Sequence, residues 1–246
     1  MKEREHNLGE TVLNVTKTLR HEVKTPENFE LARQHLKEGS LIIYLNHFHK
    51  LDVPVYGHVL TEQIAPLDKI SILAAMKQLD PKRGFIAKFQ KHAAEDLRKT
   101  KGLNSILVIQ DDEKDLYTNP DDFNRKALRQ SLEVLKEKGN VLVIAPEGTR
   151  SKDGKLQEAK EGMEVLFRLS RKNSLAMPMV LQPFPFLPNK LSIIPFTTNI
   201  EVFAGKPFSY DEIVSEQKNN PEKDIKTLMM ERMSLLLREQ NRGFYR

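Results

Sequence analysis

The sequence predicts an α/β fold in which a mostly parallel central sheet is flanked by helices, with a helical pair at the N-terminus. Three observations lead there. From Leu41 onward, short apolar runs alternate with longer stretches of helical spacing, the pattern of a mostly parallel sheet covered by helices. The 246 residues are 39% hydrophobic, which is enough to bury a substantial core, and Gly 11 and Pro 13 leave no disordered tail, long linker or internal repeat. No apolar run approaches the roughly 20 residues of a bilayer-spanning helix.

The elements follow in order. Leu8 to Val23 places Leu8, Val12, Val15 and Leu19 at helical spacing, and a second helix is predicted after Pro26. Together these give an N-terminal helical segment over residues 1–40, followed by the α/β domain over 41–246. The pair either packs on the main core or docks on a membrane. Strands are predicted at Leu41 to Leu45, Ile70 to Ala75, Ser105 to Ile109 and Val141 to Ala145. Before the last of these lies a helix with Asn119 as N-cap, Pro120 in its first turn and Gly139 at its close. Another helix after Leu156 carries Ala159, Met163, Leu166, Phe167 and Ser170 on one face. The chain then reads as strand-rich from Leu175 to Val202. Helical spacing resumes from Lys223 to Arg238, with Leu228, Met229, Met233 and Leu236. Leu181 to Pro188 stands apart: Phe184, Phe186 and Leu187 lie between prolines, unlike a regular strand or helix, and could line an apolar tunnel, dip into lipid or cross the sheet as a buried loop.

Composition narrows the chemistry. With no cysteine, disulfides, thiolate metal sites and a cysteine nucleophile are all excluded. The start, MKEREHNLGE, lacks the apolar core of a signal peptide, so a cytoplasmic chain, soluble or peripheral at a membrane surface, is expected. A formal net charge of +5 and a pI near 9.2 favour anionic lipid surfaces or nucleic acid.

Two segments carry chemistry. Leu41 to Leu45 ends in Asn46, His47, Phe48, His49, Lys50, Leu51 and Asp52, a polar turn at a strand's carboxyl end, where open α/β sheets gather ligands. If Asp52 folds back to His47, its carboxylate fixes the ring tautomer and leaves the other nitrogen free to take a proton. Alternatively, His47 is a surface histidine and Asp52 a helix cap. The second segment, Pro146, Glu147, Gly148, Thr149, Arg150 and Ser151, follows the strand at Val141 to Ala145 and suits an anion. Gly148 permits close backbone approach, Arg150 offers a planar fork for phosphate, and Thr149 and Ser151 add hydroxyls. Glu147 would orient Arg150, accept from a substrate hydroxyl, or form a turn ion pair.

The pairing of Asn46, His47 and Asp52 with Pro146 to Ser151 resembles the PlsC-like glycerolipid acyltransferases, which include the lysophosphatidate acyltransferases. The likeness extends from Leu41 to about Ile213 and takes in a softer match at Ile200 to Pro207. It implies a general base, His47, oriented by Asp52. Glu147, Gly148, Thr149 and Arg150 would bind the phosphate region of a lysophospholipid acceptor, with 1-acylglycerol 3-phosphate the leading candidate and phosphatidate the product. Acyl-CoA or acyl carrier protein would be co-substrate, with no cofactor, no metal and no nucleic acid, at a membrane lipid surface. The departure is at Ser105 to Ile109, which runs into Gln110, Asp111 and Asp112 where such enzymes place an Arg for the acceptor. Arg83, Lys88 and Lys91 either replace that charge or form a solvated basic face. Two other readings remain: a metal-dependent hydrolase using His47, His49 and Asp52, and a non-catalytic lipid-binding member of the same family.

Overall fold

The computed structural model describes residues 20–48, 52–79, 85–151, 153–184 and 199–246. In chain order the elements are β1 (Arg20–Val23), α1 (Pro26–Leu36), β2 (Ser40–Leu45), α2 (Asp52–Gln63), β3 (Ile70–Ala75), α3 (Phe85–Lys101), β4 (Asn104–Val108), α4 (Pro120–Lys136), β5 (Val141–Ile144), α5 (Gly162–Ser170), β6 (Ser174–Phe184), β7 (Asn199–Ala204), α6 (Tyr210–Asn219) and α7 (Ile225–Ser234). The described strands form one sheet in the order β1-β7-β6-β2-β5-β3-β4, parallel throughout except for the antiparallel pair β6 and β7. The α/β class and the mostly parallel sheet agree with the sequence. Among the described residues, no helix is long and apolar enough to cross a membrane.

The central strands β2 and β5 are buried along their whole length because both faces are covered. Leu41, Ile43 and Leu45 point into one core, shared with Phe29 and Ala32 of α1, Val55 and Val59 of α2 and Leu97 of α3. Ile42 and Tyr44 point into the other, with Ala127 of α4, Phe167 of α5, Ile213 of α6 and Met229 of α7. This period-two division of alternate residues explains the uninterrupted apolar runs in the sequence.

Three expectations need correction. The helix predicted to run to Val23 gives way at Arg20: Arg20–Val23 is an edge strand paired in parallel with β7, and the earlier part of that prediction lies outside the described residues. Asn119 precedes α4 as expected, but it sits in the left-handed region at φ 57° and its side chain makes no cap hydrogen bond. Leu181 to Phe184 is regular strand. Beyond Met179, β6 has outrun β2 and keeps β7 as its backbone-paired neighbour, a half-edge position where a proline such as Pro183 is tolerated. The rest of that segment, 185–188, lies outside the described residues.

Candidate functional site

The parallel strands β2 and β5 are neighbours, so the loops that leave their carboxyl ends share one edge of the sheet. The backbone of β2 pairs with β6 as far as Leu45 opposite Met179. Asn46 then continues the ladder with its side chain: Oδ1 accepts the Leu181 N–H at 3.0 Å, and Nδ2 donates to the Leu181 carbonyl at 3.3 Å. The chain can therefore turn out of the sheet without stranding buried backbone groups. Buried Tyr56 of α2 locks this exit. Its hydroxyl donates to Asn46 Oδ1 at 2.6 Å and accepts the Leu181 N–H at 3.2 Å.

His47 comes next, 6% exposed, its Nδ1 3.3 Å from Oδ2 of Asp52, the first residue of α2 and 1% exposed. The same carboxylate oxygen accepts the Phe48 N–H at 2.6 Å, which fixes the exit segment against the helix start. An ionised carboxylate only accepts, so Nδ1 carries the ring proton and Nε2 presents its lone pair. Among the described residues, Nε2 has no hydrogen-bond partner. His49 lies outside the described residues.

After β5, Gly148 donates its N–H to the Ala145 carbonyl at 3.0 Å and adopts φ +69°. A Cβ there would meet Lys160 Cγ at 3.5 Å, an ordinary contact, so the turn needs glycine for its left-handed backbone rather than for close approach. The Ser151 N–H donates to the His47 carbonyl at 2.9 Å and ties the two motif loops to each other. Thr149 is exposed in the turn, and Arg150 is partly buried. The Ser151 hydroxyl is engaged within its own loop: it donates to Asp153 at 3.1 Å and accepts the Lys155 N–H at 3.0 Å.

Glu147 makes no ion pair with Arg150. It is 1% exposed, and Oε2 accepts the Gln157 N–H at 2.8 Å. Burial pushes its carboxyl up from 4.5 to about 8; the amides of Gln157 and His47 oppose the rise, and the charges of Asp52 and Asp153 add to it. Glu147 is therefore largely neutral near pH 7. Because Oε2 is already accepting, the proton belongs on Oε1. That atom and Arg150 Nε are both buried without a hydrogen-bond partner among the described residues, so each can serve a group from outside the chain.

This raised value links folding to pH. The stabilisation of the neutral acid is fully present below about 4.5 and is lost as pH rises through about 8, by an amount on the order of a few kcal/mol. Glu147→Gln is expected to flatten this dependence, so urea denaturation should find the variant gaining on the wild type between pH 6 and pH 9. Parallel stability curves would show that Glu147 ionises freely in the folded chain.

The acidic end of β4 proves to be neutralised. Asp112 pairs with Lys77 at 2.9 Å, and Asp111 with Lys114 at 3.3 Å and Lys160 at 3.7 Å. Lys160 also donates its backbone N–H to the Pro146 carbonyl at 2.8 Å, so its side chain stands beside Gly148. Of the three cations expected to compensate, Lys88 is exposed, Lys91 pairs with Glu95 of its own helix at 3.9 Å, and Arg83 lies outside the described residues.

The loop whose Gln157 N–H meets Glu147 is fastened from the far end of the chain. Leu156 N–H donates to Asn241, Asn241 Nδ2 donates to the Gly154 carbonyl at 2.7 Å, and the Ala159 N–H donates to the Tyr245 hydroxyl at 2.8 Å.

Comparison with known proteins adds independent findings. The family model described as Acyltransferase matches residues 20–197. Among solved structures, the chain is similar to the crystal structure of the 1-acyl-sn-glycerophosphate (LPA) acyltransferase, PlsC, from Thermotoga maritima. The identity is 18% and the TM-score 0.47, over 86% of this chain and 74% of that one. No curated protein matches.

Proposed function

The chain belongs to the acyltransferase family, and on that premise we propose that it moves a fatty acyl group from acyl-CoA or acyl carrier protein to the free hydroxyl of a lysophospholipid, with 1-acylglycerol 3-phosphate as acceptor and phosphatidate as product. The observation that carries this reading is the 2.9 Å bond from the Ser151 N–H to the His47 carbonyl, which holds a general base beside an anion-binding turn. His47 Nε2 takes the proton of the acceptor hydroxyl, and its oxygen forms the new ester bond at the thioester carbonyl. The carbon–sulfur bond breaks, and the thiolate leaves with the proton that His47 returns. Asp52 favours the imidazolium while it exists. No acyl-enzyme is required.

Arg150 supplies charge to the acceptor phosphate, and neutral Glu147 supplies a hydroxyl donor from Oε1 rather than a repelling carboxylate. A net charge of +5 supports docking on an anionic lipid surface.

The test is a panel of acyl-CoA and acyl carrier protein donors against phosphate-bearing and neutral monoacyl acceptors. Arg150→Ala is expected to raise KM for the phosphate-bearing acceptor roughly 10- to 100-fold, the worth of a charge-assisted hydrogen bond, with little change for a neutral monoacylglycerol. An equal loss for both acceptors, or transfer to no lysolipid at all, would overturn the assignment.

A further inference from the structure

We propose that His21, His58 and Glu62 form a binding site for a divalent transition-metal cation of the zinc type, clamping edge strand β1 to the helix that carries Asp52. His58 and Glu62 are four residues apart on α2 and so share one face. His21 reaches the same point from β1. Its Nε2 lies 3.3 Å from Glu62 Oε2, and His58 Nε2 lies 3.3 Å from Glu62 Oε1. The three candidate ligand atoms all fall within 4.8 Å of one another.

These separations match a coordination shell. Zinc bonds of about 2.0–2.2 Å arranged tetrahedrally put neighbouring ligand atoms about 3.3–3.6 Å apart; the two His–Glu62 separations of 3.3 Å already meet this, and side-chain rotation draws all three ligand atoms, now within 4.8 Å, onto one cation. The two imidazole rings stand edge to face at 86° with centroids 5.1 Å apart. Two imidazoles and one carboxylate select zinc, cobalt or nickel over magnesium or calcium, which prefer shells of oxygen. Burial is graded as an entry path requires: His58 is buried, His21 is half-buried and Glu62 is exposed. Water would complete the shell on the open side.

The site is separate from the acyl-transfer machinery. Six residues along α2 place His58 about 9 Å from Asp52 in axial rise. The cation would act as a brace: β1 is a four-residue edge strand, and its tie to α2 would hold in place the helix whose first residue orients His47. The competing arrangement is a plain hydrogen-bonded triad in which one carboxylate bridges two rings, and it confers no metal affinity.

Calorimetric titration of the tag-free, chelator-treated full chain with Zn²⁺, and with Co²⁺ monitored by its visible ligand-field absorption, separates the two. Saturable binding of one cation per chain is expected, with a rise in Tm on zinc addition, and both are lost in His21→Ala and Glu62→Gln. These variants change half-buried and exposed side chains, so their circular dichroism should match the wild type; His58→Ala risks the core. No saturable binding by the wild type, or binding undiminished in both variants, would overturn the proposal, and neither readout depends on acyl transfer.

Discussion

His47→Ala is expected to lower kcat for acyl transfer by about 10²–10⁴-fold, the usual worth of a positioned general base, with stability within about 1 kcal/mol of the wild type. The two effects separate because of how the imidazole is held. Its side chain makes one hydrogen bond among the described residues, 3.3 Å to Asp52, and Asp52 keeps the Phe48 N–H when the ring is gone. The backbone of His47, which receives the Ser151 N–H, is unchanged by the substitution. Thiol release from the acyl donor and a thermal melt check both halves, and near-normal turnover by a well-folded variant would refute the role. Asp52→Asn is the sharper companion. Oδ2 of Asp52 faces both Nδ1 and the Phe48 N–H, so the amide oxygen can keep both contacts, and what the substitution removes is the negative charge that favours the imidazolium. Activity should then fall by about 10²-fold or more although no charged residue has been taken from the substrate's reach.

Residues buried on two faces were the most legible part of the fold. The expected limits of Ile70–Ala75 coincide with the observed ones, and those of Ser40–Leu45, Asn104–Val108 and Val141–Ile144 lie within one residue at each end; in β2 and β5, burial on both faces leaves a continuous apolar run. Arg20–Val23 is the converse case: four residues are too few for a period to show in the sequence, and pairing with β7 makes them a strand. Helix α6 does carry a local signal in its capping box, Ser209 and Glu212, with Ser209 accepting the Glu212 N–H at 3.2 Å and Glu212 receiving the Ser209 N–H at 2.6 Å.

At the site, the residue types were legible but their electrostatics were not. His47 and Asp52 could be paired on paper because both follow one strand. Glu147 reads as an exposed turn carboxylate, and what buries it is a loop fastened by Asn241 and Tyr245, about a hundred residues later. No local pattern carries that information. Tyr56 was hidden differently: amid DVPVYGHVL it looks like an ordinary core aromatic, and its hydroxyl acquires a function only when Asn46 and Leu181 arrive from two strands.

That three-way junction leads to the largest stability effect expected of a residue at the site. Asn46→Ala removes both side-chain bonds to Leu181 and the acceptor of the 2.6 Å bond from Tyr56. The Leu181 N–H retains the Tyr56 hydroxyl at 3.2 Å, but its carbonyl loses the Asn46 donor in a site closed to water. A buried unsatisfied acceptor costs about 1–3 kcal/mol, and the lost bond and small cavity add to it, so a destabilisation of about 2–4 kcal/mol is expected. For a chain of this length that corresponds to a fall in Tm of roughly 5–15 °C. Tyr56→Phe should cost less, because Asn46 still brackets Leu181, and the double variant should fall short of the sum, since both residues serve one junction. Activity distinguishes this role from simple packing. Asn46 sets where the backbone leaves the sheet, so folded Asn46→Ala should lose kcat through displacement of His47 while its KM for the acceptor, governed by the turn at Arg150, changes little. Strict additivity with Tyr56→Phe, or full kcat in the folded variant, would show that the exit from β2 is positioned by something other than this amide.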